Sequence, residues 1–201
     1  MFYVSSFMLN IEDIKKLRDE TGASPVEIKK ALAETQNDFT RAKELLQSWG
    51  KKIVDKKMGN EAKDGLIDFY LHPNAKTGVL LDIRCQTDFV AKSPEFKTLA
   101  HEIALHIAAM RPLYVSENDI PQELVAAEEQ VYREQVADSG KPADIVKQII
   151  EGKLQKYKES VSLLSQAWVK DDTKTIKNLV EETVAKVGEN IEVKRFARYE
   201  I

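Results

Sequence analysis

The strongest constraint on this chain is a change of hydrophobic period. Leu66–His72 and Val79–Cys85 read as strands, and they flank Pro73–Gly78, a segment with hairpin-loop composition. A third strand pattern comes only at the C-terminus. There Ile191, Val193, Arg195 and Ala197 alternate with Glu192, Lys194, Phe196 and Arg198. One face of that strand belongs to a core, and Phe196 serves the other. The long stretch between is helical in period, so the expected class is α+β with a small antiparallel sheet.

Ahead of the first strand the period is 3.6. Ile11, Ile14 and Leu17 share a helix face that ends at Thr21-Gly22. Ser24-Pro25 supplies an N-cap and a first-turn proline, with Glu27 in the first turn and Val26, Ile28, Ala31 and Leu32 on the apolar side. Asn37-Asp38 turns the chain into a third run, Phe39, Ala42, Leu45, Leu46 and Trp49, stopped at Gly50. These signals predict a three-helix domain over 10–50. A lysine-rich linker over 51–63, interrupted by Gly59-Asn60, then leads to a core over 64–201. Residues 1–9 are apolar-rich but have no positive n-region and too short a run for a targeting signal. They read as a disordered leader, with Met8 as an alternative start.

Within the core, Phe96, Leu99, Ile103, Ile107 and Met110 mark a helix stopped before Arg111-Pro112. A second runs from about Gln122 to Asp138, and Ser139–Pro142 connects it to a third carrying Ile145, Val146, Ile149, Ile150, Leu154 and Tyr157. Seven acidic residues oppose Arg133 alone from Glu117 to Asp138. From Lys141 to Lys158, five lysines oppose Asp144 and Glu151. Opposite charge favours an antiparallel helical hairpin over about 117–158, although each exposed pair contributes only ~0.2–1 kcal/mol. A last helix spans about Thr175 to Val187.

Composition excludes several kinds of chemistry. With 30 Lys+Arg against 33 Asp+Glu in 201 residues, the chain is no strongly basic nucleic-acid binder. Its single Cys, Cys85, excludes an intrachain disulfide and a cysteine-based zinc site, which fits a cytoplasmic chain. His101 and His106 suggest a zinc-protease motif, but their five-residue step puts the rings about 140° apart instead of on one face. No phosphate-binding glycine loop and no nucleophile elbow exists, and Cys85, at the end of a strand, reads as a small buried hydrophobe. Nothing assembles an acid, a base and a nucleophile, so the chain is expected to act by binding, without cofactor or metal. His106 lies between two faces of its helix. One reading buries both faces, and the other gives part of the second to a partner.

Cys85-Gln86-Thr87-Asp88-Phe89-Val90-Ala91-Lys92 follows the second strand. Read alone, Thr87 or Asp88 caps the next helix and Phe89 anchors a core. The alternative is an exposed Asp-Phe tip that inserts into another molecule. This block resembles the T-D-F-V-A signature of the elongation factor Ts family, exchange factors for the translational GTPase elongation factor Tu. Other blocks agree in order: Leu17–Ala23 with Lys29–Leu32, His106–Ala109 before Pro112, Ser139–Pro142, and Val187–Ile191. The resemblance covers about residues 9–201. The chain departs from the family at Ser24-Pro25-Val26, where the head usually carries Gly-Met-Met.

The resemblance implies a ubiquitin-associated-like head that packs on the GTPase domain of elongation factor Tu, with Leu17, Arg18 and Val26 at that contact. It implies that Thr87, Asp88, Phe89 and Val90 wedge beside the nucleotide and Mg²⁺ site so that GDP leaves, with His106 on the same contact surface. Longer members carry two related core halves and this chain has material for one, so a homodimer is expected. No membrane and no direct nucleic-acid contact is expected. A helical RNA- or ribosome-associated adaptor using the Lys51–Lys63 patch is the alternative.

Overall fold

Local chemistry sets the helix starts and stops at the N-terminal end. The computed structural model describes residues 11–137 and 140–201. The leader expected over 1–9 lies outside the described residues, as does part of the expected Ser139–Pro142 connection. Helix α1 (Ile11–Thr21) closes at Gly22, whose φ of +66° suits a residue without Cβ and whose N–H donates to Arg18 O at 2.8 Å. Helix α2 (Pro25–Glu34) opens with a complete capping box: Glu27 N–H donates to Ser24 Oγ, and Ser24 N–H donates to Glu27 Oε2 at 2.9 Å. Asp38 caps α3 (Phe39–Lys57) by accepting from Arg41 N–H at 3.0 Å. Leu17, Ile28, Ala31, Leu32, Ala42 and Leu46 form the buried centre of this three-helix domain, with Ile14, Phe39, Leu45 and Trp49 packed around it.

The third helix does not stop at Gly50, as the sequence suggested, but continues to Lys57. Gly50 works here as a close-approach residue. A Cβ built on it would lie 3.4 Å from Ala185 Cβ, and Val54 one turn further on is buried. Lys51, Lys52, Lys56 and Lys57 are therefore helical, and only residues 58–63 lie between α3 and the first strand.

Strands β1 (Asp64–Leu71) and β2 (Thr77–Cys85) form the expected hairpin, and β5 (Ile191–Glu200) joins on the far side of β2, giving the order β1-β2-β5. Between β2 and β5 come α4 (Asp88–Lys92), α5 (Pro94–Met110), α6 (Gln122–Val136), α7 (Ala143–Val161) and α8 (Ile176–Val187). A two-stranded ribbon, β3 (Ala167–Trp168) with β4 (Asp171–Thr175), was not expected. The segment Asp171-Asp172-Thr173-Lys174-Thr175 has no apolar alternation to announce a strand. The acidic α6 and basic α7 pack on each other, where Lys153 donates to Gln135 Oε1 at 2.6 Å and lies over the Tyr132 ring.

Two compact units result, and neither is a continuous stretch of chain. One holds the three-helix domain together with Arg84–Phe96 and Val180–Glu192. In it the alkyl stem of Lys186 fills the space over Gly22, where any side chain would collide with it. The other comprises Leu66–Ile83, Lys97–Leu179 and Val193–Ile201. Its buried residues include Val79, Leu81 and Ile83 of β2 and Leu99, Ala100, Ile103, Ala104 and Ile107 of α5. The Arg198 guanidinium donates twice to Ala108 O, tying β5 to the end of α5.

Two substitutions in the three-helix domain separate core from cap. Leu17→Ala empties a fully buried position and is expected to cost ~2–5 kcal/mol, while Ser24→Ala removes the capping box for ~1 kcal/mol. Denaturant titration followed by circular dichroism checks the ratio.

Candidate functional site

The end of β2 builds the site. Cys85 is fully buried, its Sγ donates to Thr87 O at 3.2 Å, and burial pushes its thiol up to about 11. The chain then turns through Gln86, and Thr87, in extended backbone, N-caps the five-residue helix α4 by accepting from Val90 N–H. Ser93 ends α4 and starts the next helix, where its Oγ accepts from Phe96 N–H at 3.3 Å. Two caps six residues apart in sequence hold a single turn of helix between them.

That turn sorts its side chains sharply. Ala91 is buried and Val90 half-buried, whereas Phe89 is 82 % exposed. The core anchor nearby is Phe96, at 0 % exposure, so the core-anchor reading of Phe89 does not hold in the free chain. Asp88 lies 2.6 Å from Lys92 Nζ one turn along, and the hydrogen bond from that ammonium holds the Asp88 carboxyl below its ordinary range. The tip is thus an exposed aromatic ring beside an ionised carboxylate.

A residue far away in sequence holds the turn from behind. Glu189 accepts from Thr87 N–H at 3.0 Å through Oε2 and from the Thr87 hydroxyl at 2.7 Å through Oε1. Next to it Asn190 N–H donates to Gln86 Oε1 at 3.1 Å, and Asn190 Nδ2 donates to Asn60 O at 2.8 Å. The sequence offered one signal for Glu189, an acid placed directly after a helix-ending glycine. Nothing local pointed it at Thr87.

The remaining predicted residues are placed as follows. Leu17 is fully buried at the centre of the three-helix domain, while Arg18 is exposed and Val26 is 77 % exposed at the start of α2. His106, in the other unit, has no exposed surface. Its Nδ1 accepts from Val169 N–H at 3.2 Å, so the proton sits on Nε2, which donates to Gln166 Oε1 at 2.9 Å. Burial lowers its pKa and keeps the ring neutral. His101 instead lies half-exposed, 3.4 Å from Asp68. Among the described residues no cluster of three or more His, Cys, Asp or Glu could hold a metal ion, and no helix is long and apolar enough to cross a membrane.

Comparison with known proteins gives a consistent picture over nearly the whole chain. The family model described as Elongation factor TS matches residues 6–201. Elongation factor Ts of Coprothermobacter proteolyticus is 50% identical over 186 residues, covering 92% of this chain and 94% of that protein. The Thermotoga petrophila protein of the same name is 48% identical over 193 residues, 96% of each chain. That of Rubrobacter xylanophilus is 45% identical over 191 residues, 95% of this chain and 98% of its own. With a family match of this extent and full-length relatives at this identity, the chain belongs to the elongation factor Ts family.

Proposed function

We propose that this protein is the nucleotide exchange factor for elongation factor Tu in translation elongation, working in the cytoplasm by displacement without covalent chemistry. The observation that carries the mechanism is the exposed Phe89, presented on a one-turn helix with caps at both ends. A ring left in water in the free chain gains about 1.5–3 kcal/mol when fully buried in a partner's apolar pocket. The ionised Asp88 beside it perturbs the electrostatics of a Mg²⁺ and phosphate site brought near. Thr87 and Val90 shape the tip. Exchange factor and nucleotide then bind one GTPase with negative coupling, and each weakens the other by the same factor.

The three-helix domain serves as the ubiquitin-associated-like head that docks on the GTPase domain. Exposed Arg18 and Val26 supply the contact, and buried Leu17 acts by holding the helices that present them. His106 acts in the same indirect way, by fixing the end of α5 against Gln166 and Val169. The paired helices α6 and α7 are the helical hairpin of the core.

A homodimer completes the reading. Ile67, Phe69 and Leu71 alternate along β1 and are each about 60 % exposed or more, with Leu80 of β2 also exposed. An apolar sheet face of this kind is typical of an interaction surface, and a second copy of the chain covers it.

Two experiments test these assignments. Asp88→Ala with Phe89→Ala is expected to abolish stimulated release of labelled GDP from elongation factor Tu with the circular dichroism spectrum unchanged. Undiminished stimulation by that variant would reject the wedge. Ile67→Lys with Phe69→Lys is expected to halve the mass seen by light scattering, and a wild-type protein that is strictly monomeric and fully active overturns the dimer.

A further inference from the structure

The block Val187-Gly188-Glu189-Asn190-Ile191 has no part in the wedge itself, yet it bonds to the two residues that lead into the tip. Helix α8 ends at Gly188, whose φ of +73° and N–H to Val184 O bond of 2.8 Å turn the chain out of the helix. That turn aims the next carboxylate at Thr87. Both Glu189 oxygens are used, one on the Thr87 N–H and one on its hydroxyl. Asn190 adds a backbone bond to the Gln86 side chain, so the two residues before Asp88 are each gripped from the α8–β5 connection.

We propose that Glu189 is a positioning residue for exchange: its carboxylate sets the Thr87 N-cap, and through it the direction in which Asp88 and Phe89 leave the protein. Two demands compete for the orientation of the Thr87 hydroxyl. Its oxygen must accept from Val90 N–H to start α4, which requires its own proton to point elsewhere. Glu189 Oε1 takes that proton at 2.7 Å, leaving a lone pair for the cap. Bonds to a carboxylate are about twice as strong as neutral ones, so the Thr87 hydroxyl is held with its lone pair towards Val90 N–H, 3.5 Å away. An exchange tip needs this because the ring must arrive already oriented. A tip that wanders still lets the rest of the surface bind but inserts rarely.

The proposal rests on the exchange reading above, and one experiment separates the two. Stimulated release of labelled GDP from elongation factor Tu is measured against factor concentration for the wild type, Glu189→Ala, Glu189→Gln, Phe89→Ala and Phe89→Ala with Glu189→Ala. A wild-type protein that gives no stimulation removes the exchange reading itself. Given wild-type stimulation, Glu189→Ala is expected to lower the maximal rate roughly tenfold, on the scale of losing charged hydrogen bonds, with the half-saturating concentration changed less than about threefold. Glu189→Gln keeps an acceptor for Thr87 and is expected to fall between the two. In the Phe89→Ala background the Glu189 change is expected to cost less than it does in the wild type, because much of its effect acts through that ring.

Several outcomes overturn the proposal. They are a Glu189→Ala protein at the wild-type maximal rate, a deficit confined to the half-saturating concentration, or effects that multiply in the double variant. If Glu189→Ala melts below the assay temperature, Glu189→Gln decides, and a folded Gln variant at the wild-type maximal rate overturns the assignment equally.

Discussion

The pairing of β2 with β5 is the constraint on which the rest of the molecule depends. It joins strands separated by everything from Gln86 to Asn190. Closing so long a loop costs entropy, though the cost grows only with the logarithm of loop length and the intervening helices form locally. The closure delivers more than a sheet. Gln86 and Thr87 leave the end of β2, while Glu189 and Asn190 enter the start of β5. The bonds of Glu189 to Thr87 and of Asn190 to Gln86 hold these four residues together there.

Legibility in the sequence followed the range of the interactions. Caps were readable because their chemistry is local: Ser24 with Glu27, Asp38 before α3, and Thr87 before α4 all lie within three residues of the groups they satisfy. The strands β1, β2 and β5 showed themselves by period. Gly50 misled because a glycine inside a helix resembles a stop signal, and only the approach of Ala185 explains it. The exposure of Phe89 was equally hidden. The sequence holds Phe89 and Phe96 seven positions apart, and only packing decides that one is core and the other surface. The β3–β4 ribbon, rich in Asp, Thr and Lys, has no apolar signature at all.

The residue types that usually signal chemistry turn out to have structural employment. Cys85 is buried with its thiol pushed up to about 11, which leaves almost no thiolate near neutral pH. His106 is held neutral, its proton placed by the Val169 N–H on one side and the Gln166 oxygen on the other. Gln166 is in turn fixed by donating to Ser160 O at 2.6 Å, so one chain of bonds links α5, α7 and the segment before β3. Cys85 and His106 are thus both committed to holding the fold in place.

The connection from α8 to β5 also has an evolutionary consequence. It is three residues long, 188–190, and none of the three is idle. Gly188 makes a left-handed turn, Glu189 places a carboxylate on Thr87, and Asn190 bonds to Gln86 and Asn60. One inserted residue would displace Glu189 from Thr87 or Asn190 from Gln86. The β1–β2 turn over 72–76, exposed throughout and bonded mainly to itself, can lengthen or shorten with little penalty. Length variation among descendants of this chain should therefore accumulate at the hairpin tip and be purged from 188–190, even where individual residues drift.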